Sequence, residues 1–483
     1  MKEQKKTNLI ILMSDQHNRA MLGCSGNSFI HTPNLDALAA SGTTFSHAYC
    51  SSPICVPSRA SFATGQYASV HGYWDNAHAY EGAADSWGKR LEEQGYSVTT
   101  IGKLHYQDDR KETGFVDQRI PLHIKDGVGD IYGMIRNKHI TRYQFRDTLL
   151  TARAGESDYT RYDRATADMA ADYLLREARN KEKPFVLFVS FCTPHFPLIA
   201  PQEFVDMYPD PEKLPRPVQF DPGEWPHHPL IDDYRRYCGT DQVDEAAALN
   251  GRRIYYALCS FMDAQVGKVM TALRESGLAE ETRVLYCADH GDTMGAHGVY
   301  YKSTMYEGSV GIPMLLAGPD IPVGATVSTN VSLLDVFPTV LDCVGARPSD
   351  KDRCLPGRSL IDIAINAPDE DRAVCAEYYS QGIYTAMFML RNRKYKYVHY
   401  VHERPQLFDM ENDPDECCDL AADPAYAEVV ASMHAQLETV FDTEALESAS
   451  KQAQAELMDA HGGEEEFLRT FKPMLFSPIP KIE

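Results

Sequence analysis

Residues 8–14 read Asn-Leu-Ile-Ile-Leu-Met-Ser, a continuous apolar run, and Asp15 follows it directly. A strand with one wet face alternates polar and apolar residues. A run without alternation is covered on both faces, as in a parallel sheet between helical layers. The run is too short to cross a bilayer, and no small-residue cleavage site follows it, so it reads as an internal strand rather than a signal peptide. No membrane partner is expected, and the predicted location is cytoplasmic.

The same grammar returns along the chain. Phe185 to Phe191 and Thr282 to Ala288 are further apolar runs, and Tyr96 to Ile101 and Ile312 to Leu316 read as extended. Helical stretches fall between them. One opens at Thr32-Pro33 with Gly42 as its stop, and another runs from Ser86 to Gln94 before Gly95. Arg164 to Arg179, Gly251 to Ser276 and Leu333 to Val344 add three more. Strands alternating with helices predict an α/β fold with a large, mostly parallel sheet sandwiched between helices.

Segments 111–160 and 202–244 lack a clear period and predict irregular insertions, acting as lids or substrate-binding loops. After about Ser349 the pattern changes. Val374 to Tyr379, Tyr384 to Arg391 and Tyr395 to Tyr400 read as an antiparallel sheet, with a helix from Tyr426 to Val440. The predicted organisation is a catalytic domain over 1–350 and a C-terminal subdomain with tail over 351–483. The tail, Ser477 to Glu483, is broken by proline. It is expected to be extended, either reaching a second subunit of a homo-oligomer or fraying.

Placement of polar residues is more telling than their number. Asp15 follows the first apolar run, Lys103 and His105 follow the Tyr96 segment, His195 follows the Phe185 run, and Asp289 and His290 follow the Thr282 run. In an open α/β sheet the carboxyl ends of parallel strands share one rim, and ligands bind there. Each residue alone has a plainer reading, as a turn former or a satisfied structural histidine. Their coincidence at four strand ends points to a site. Asp15, Asp289 and His290 supply mainly hard oxygen donors with one nitrogen. Such a set suits Ca²⁺, Mg²⁺ or Mn²⁺ better than a thiolate-loving metal. Gln16 could add its amide oxygen.

A second cluster reads Cys55-Val56-Pro57-Ser58-Arg59 and continues to Thr64-Gly65. Pro57 fits the first position of a helix and Gly65 its end. Cys55 then lies just before a helix N-terminus, where free amides and the dipole favour anions. A cysteine there could be a thiolate nucleophile or the precursor of another group. The formal charge of −22 argues against nucleic-acid binding. It also means that any anion site needs local cations, screened from the acidic body over roughly 8–10 Å. The twelve cysteines show no regular spacing, as expected of reduced thiols.

The Cys55-x-Pro57-Ser58-Arg59 segment with Thr64-Gly65 resembles the signature of the sulfatases, the formylglycine-dependent branch of the alkaline phosphatase superfamily. Asn8 to Asp15, Thr32 to Ala39, Gly102-Lys103-Leu104-His105, Thr193-Pro194-His195, Asp289-His290-Gly291-Asp292, Lys302 and Leu407-Phe408-Asp409-Met410 resemble further family segments in the same order. The stretch Val70 to Ala77 looks closest to choline-sulfatase-like and bacterial arylsulfatase members. Three departures stand out: Gln16 where many relatives have a second aspartate, His290 where some have asparagine, and the bulky Val56.

The resemblance implies an alkaline-phosphatase-like fold and hydrolysis of a small-molecule sulfate ester. It also implies conversion of Cys55 to formylglycine by a maturation enzyme, and one divalent metal, Ca²⁺ before Mg²⁺ or Mn²⁺, held by Asp15, Gln16, residue 55, Asp289 and His290. In the implied mechanism one hydroxyl of the hydrated aldehyde attacks sulfur and the other later expels sulfate. Lys103 and Lys302 would bind sulfate oxygens, His195 would be the acid toward the leaving oxygen, His105 the base that reopens the aldehyde, and Arg59 the support of diol and metal. His297 reads as structural, and Trp74 and Tyr106 as either pocket or core. Two alternatives stay open: a phosphonate monoester or phosphodiester hydrolase using the same nucleophile, and a non-catalytic binder of sulfated ligands with Cys55 left as a thiol.

Overall fold

The computed structural model describes residues 6–136, 140–470 and 476–481. The principal sheet has eight strands: β1 (Asn8–Asp15), β2 (Gly42–Phe45), β3 (Ser97–Lys103), β4 (Asp117–Leu122), β5 (Phe185–Pro194), β6 (Thr282–Ala288), β7 (Met314–Ala317) and β8 (Ala325–Val327). Their spatial order is β8-β2-β7-β6-β1-β5-β3-β4. The five strands from β6 to β4 are mutually parallel, and β7 alone runs against its neighbours. β1 lies inside this set, with Leu9 to Met13 opposite Val186 to Ser190 on one side and Arg283 to Cys287 on the other.

The unbroken apolar run of β1 is explained by what covers it. Leu9, Ile11 and Met13 enter a cluster with Phe62, Trp87, Phe337 and Val340. Ile10 and Leu12 enter the opposite cluster with Leu35, Leu38, Leu174 and Val266. The first cluster holds helix α2 (Cys55–Thr64), the helix Trp87–Glu93 and the helix Val336–Val344. The second holds α1 (Pro33–Ala40) with the helices Asp158–Arg176 and Glu245–Glu275. Burying each such aliphatic side chain stabilises the fold by about 1.5–3 kcal/mol, so a polar residue on either face of β1 would be costly.

A second sheet of four antiparallel strands follows in sequence order: β9 (Val374–Tyr378), β10 (Met387–Arg391), β11 (Tyr395–Tyr400) and β12 (Gln406–Asp409). Helix α3 (Ala427–Glu438) lies on it through Met433 and Leu437, beside Phe388, Leu390 and Tyr397. Helix α4 (Thr443–Ala460) and the helix Gly463–Thr470 come next. No helix among the described residues is long and apolar enough to cross a membrane.

Several local expectations need correction. Gly42 does not stop α1. Ser41 caps it, and Gly42 opens β2, where a Cβ would sit 2.3 Å from the Leu316 carbonyl oxygen. Nor does the Thr32 side chain cap α1; the Asp263 carboxylate accepts the amides of Asn34 and Leu35 instead. The helices expected from Arg164 and Gly251 begin at Asp158 and Glu245, each capped by the residue before it. Segments 111–160 and 202–244 are not wholly irregular. They contain the edge strand β4 and the helices Tyr143–Leu150 and Pro229–Cys238, while 137–139 lie outside the described residues. Strand β12 and the helices after Asp442 were not expected.

The tail differs most. Its described part does not fray. Ser477 is buried against His105 and Tyr159, and Ile479 packs on the Leu122 and Tyr162 cluster. Ile482 and Glu483 lie outside the described residues.

Candidate active site

The carboxyl ends of β6, β1, β5 and β3 are adjacent, so Asp289 and His290, Asp15, His195, and Lys103 with His105 emerge side by side. Above them sits the start of α2. Cys55 is its first residue and Pro57 its third, so the helix begins two residues earlier than the sequence suggests. All of these side chains are buried.

Four atoms converge. The Cys55 Sγ lies 3.2 Å from His290 Nε2 and 3.7 Å from Asp15 Oδ1. His290 Nε2 in turn lies 3.7 Å from Asp15 Oδ1 and 3.6 Å from Asp289 Oδ1. The opposite oxygens of the two carboxylates are already engaged. Asp15 Oδ2 meets Lys103 Nζ at 2.5 Å and Arg59 at 3.3 Å, and Asp289 Oδ2 accepts Arg59 Nε at 2.8 Å. The His290 Nδ1–H donates to the Gly291 carbonyl at 3.0 Å. That bond leaves the Nε2 lone pair facing the cluster, the tautomer a metal ligand needs.

The donor set fits a divalent cation. Asp15, Cys55, Asp289 and His290 can each offer one atom, all within 4.8 Å of one another. Gln16 Nε2 donates to Asp292 while its Oε1 is buried without a partner, an orphaned acceptor of the kind a hard ion satisfies.

Arg59 is the hub. Besides the two carboxylates it donates to the Lys103 carbonyl and to Ser190 Oγ, so it ties the strand ends to α2. Its fully buried charge is held by Asp289 and Asp15. Burial alone would raise the Asp15 pKa, but the charges of Lys103, Arg59 and Lys302 outweigh it and hold this carboxyl well below its usual range. Burial, and then the Asp15 charge, push the Cys55 thiol up despite Lys302 and Lys103. Lys302 Nζ donates to Cys55 Sγ at 3.1 Å and lies over the Phe196 ring.

The two remaining histidines are placed differently. His195 Nδ1–H donates to the Phe196 carbonyl. Burial first, then Lys302, drives its pKa well below 6.5. His105 Nε2 meets the Ser477 hydroxyl at 2.8 Å, while its Nδ1 is buried without a partner. Its pKa too is held well down, by burial and then Lys103. His297 stacks on Tyr306 and bonds Gln219, away from the cluster. Trp74 packs on Tyr379, and Tyr106 packs between Tyr80 and Phe115, so both are core.

Residues with no role at the site assigned from the sequence complete the surroundings. Ser58 Oγ donates to the Asp289 carbonyl. The Asp163 carboxylate takes the amides of Cys192 and Thr193 just before His195. A cavity of about 30 Å³ beside Lys302 and His105 is lined by Asn76, Phe145, Phe196, Gln381, Phe476 and Ser477, among others. A larger cavity, about 610 Å³, lies between Met134, Lys451 and Met458 and touches none of the cluster. Size alone would mislead here, since the convergent chemistry is at the small one.

Known proteins match this chain over most of its length. The profile of the family described as "Sulfatase" matches residues 7–346, and that described as "N-sulphoglucosamine sulphohydrolase, C-terminal" matches residues 295–443. A choline-sulfatase of Rhizobium meliloti is 31% identical over 466 residues, covering 93% of this chain and 90% of its own. The arylsulfatase K of Homo sapiens is 27% identical, covering 91% and 83%. In fold, a phosphonate monoester hydrolase of Agrobacterium radiobacter superposes with a TM-score of 0.72 at 23% identity, over 90% of this chain and 95% of its own. A protein solved with its substrate D-glucosamine-2-N,6-O-disulfate superposes with a TM-score of 0.71 at 21% identity, over 93% and 99%.

Proposed function

The chain belongs to the sulfatase family and is a sulfuric ester hydrolase, and we propose that its buried cluster cleaves the sulfate monoester of a compact, uncharged alcohol or phenol. The observation that carries this reading is the position of Cys55. Its sulfur is simultaneously within 3.1–3.7 Å of Lys302, His290 and Asp15. A thiol whose pKa is pushed up is a poor nucleophile, which favours conversion of Cys55 to formylglycine by a maturation enzyme. It disfavours both a plain cysteine hydrolase and a binder with the thiol intact.

A divalent ion held by Asp15, Gln16, residue 55, Asp289 and His290, with calcium first, would supply fixed positive charge, and formylglycine would supply a hydrated aldehyde as nucleophile. The chain's own residues do the rest. Lys103 and Lys302 take sulfate oxygens, and Arg59 fixes both carboxylates and the first turn of α2. His195 offers its free Nε2 to the leaving oxygen. It is neutral at rest, and the negative charge of bound sulfate raises its proton affinity so that it can act as acid. His105 serves as the base at residue 55.

The leaving group is argued from the small cavity. Aromatic faces could hold a quaternary ammonium, as the 31% relative's name would suggest. Here, however, the Phe196 face carries Lys302 and the Phe145 face carries Arg142. Asp130, the carboxylate at the cavity, is paired with Arg142 at 2.8 Å. A neutral group meets no such competition. The reading retains a catalytic part over 1–350, a C-terminal part over 351–483 and a cytoplasmic location, which suits twelve free cysteines.

Two measurements test it. Mass spectrometry of the Cys55 peptide from native-host protein should show the aldehyde; an unmodified thiol with no turnover would favour the binder. Phenyl sulfate, choline sulfate and a phenyl phosphonate should then be assayed side by side. Phenyl sulfate is expected to be cleaved fastest. Preference for the phosphonate would overturn the sulfate assignment, and preference for choline sulfate would overturn the neutral leaving group alone.

A further inference from the structure

Far from the catalytic rim in sequence, a second group of metal-ligating side chains meets on the face of the second sheet that α3 covers. His399 lies on β11. His434 and Glu438 lie one turn apart on α3, and residues four apart share a helix face. One nitrogen of each histidine and one carboxylate oxygen lie within 4.8 Å of one another. The two imidazole rings are 4.9 Å apart between centroids. None of the three belongs to the Asp15 cluster, so the two groups are separate.

The surroundings already orient these side chains. Thr443, at the start of α4, donates its hydroxyl to Glu438 Oε1 at 2.6 Å and touches His399 Nε2 at 3.4 Å. Tyr397, two residues before His399 on the same face of β11, brings its hydroxyl to 3.4 Å from His434 Nδ1. His399 also packs flat on Phe388 of β10. Outer partners of this kind hold imidazole and carboxylate ligands in place.

A divalent cation at this point would accept one lone pair from each imidazole and the Glu438 charge at once, from donor atoms that already lie within 4.8 Å of one another. We propose that His399, His434 and Glu438 form a second divalent-metal site, for zinc or a similarly borderline ion, that clips α3 to the second sheet. Two nitrogens and one oxygen, with room for water, match a four-coordinate zinc better than the oxygen-rich shell calcium requires. Bonds of about 2.0–2.2 Å put tetrahedral ligands roughly 3.3 Å apart. His399 and His434 are half-buried and Glu438 is exposed, so modest side-chain rotation closes the gap.

The test is a zinc titration by calorimetry on the full chain, with the catalytic cluster saturated with calcium. The exposed thiols Cys24, Cys354, Cys417 and Cys418 are replaced by serine, since thiolates also bind zinc. One saturable equivalent is expected, and zinc should raise the unfolding midpoint. His434→Ala and, separately, Glu438→Gln should weaken this binding by about tenfold or more and abolish the midpoint shift, with ester hydrolysis retained. Cobalt should give a visible absorption band in the parent that both variants lose. Unchanged zinc affinity in the two variants, or no saturable zinc binding in the parent, would overturn the proposal. Glu438→Gln changes one exposed atom type, so loss through misfolding would show as lost ester hydrolysis in that variant and would count against the clip.

Discussion

The strand-borne half of the catalytic rim and its loop-borne half are held by different means. Asp15, Lys103, His195, Asp289 and His290 leave four adjacent parallel strands whose register is fixed by ladder hydrogen bonds and by apolar clusters on both faces. Arg59 then cross-links them. Lys302 arrives on a loop held through Tyr234, whose hydroxyl donates to the Lys302 carbonyl, and through Ser303 N to the Pro53 carbonyl. Phe476 and Ser477 arrive from the far end of the chain and contribute one hydrogen bond to His105 and one from Tyr159. The ligand and nucleophile set is thus preorganised, whereas the tail side of the wall that meets the leaving group rests on few contacts. Such a division lets one framework keep its chemistry while its substrate wall varies.

Substitutions on either side should therefore differ in kind. The largest effect is expected at the nucleophile: Cys55→Ala should lower kcat/KM by about 10⁴-fold or more with little change in folding. Active Cys55→Ala protein would break the distinction outright. Next comes Arg59→Ala, which strands two buried carboxylates. It should abolish turnover and also destabilise the fold by about 3–5 kcal/mol, read as a lower unfolding midpoint. A variant that kept its midpoint would show that the strand-borne half does not depend on this cross-link. His195→Ala should cost about 10²–10⁴-fold on a sulfate ester with a poor leaving group. The loss should be far smaller with 4-nitrophenyl sulfate, whose leaving group needs no proton. Equal losses on both esters would remove His195 from the acid role.

Whether a residue's role is legible in the sequence depends on what that residue adjoins. Asp15, Asp289 and His195 stand next to apolar runs too uniform to be anything but doubly covered strands, so their rim can be read from order alone. Gly42 misleads because its reason is spatial: it lets β2 approach the Leu316 carbonyl, and no local pattern encodes that neighbour. Strand β4 (Asp117–Leu122) escapes notice because it is an edge strand, half-exposed along most of its length and carrying Pro121, which propensity reads as loop. The caps at Ser157 and Asp244 are visible in principle. They lie outside the apolar period that marks the later part of each helix. Ser477 has no local signal at all, because its partner His105 is 372 residues away.

That last contact gives the smallest expected effect and the sharpest comparison. Ser477→Ala removes one hydrogen bond to a buried histidine, worth about 1 kcal/mol, so turnover of a small aryl sulfate should change by no more than about fivefold. Removing residues 476–483 does something else. It takes away the Phe476 side of the small cavity beside Lys302 and His105 and so widens it. Turnover of a bulky aryl sulfate should then rise relative to phenyl sulfate, while Cys55→Ala in the same truncated chain stays inactive. If truncation instead abolished turnover of both esters alike, the tail would belong with the strand-borne machinery, and the division between a rigid ligand set and an adjustable wall would fail at this point.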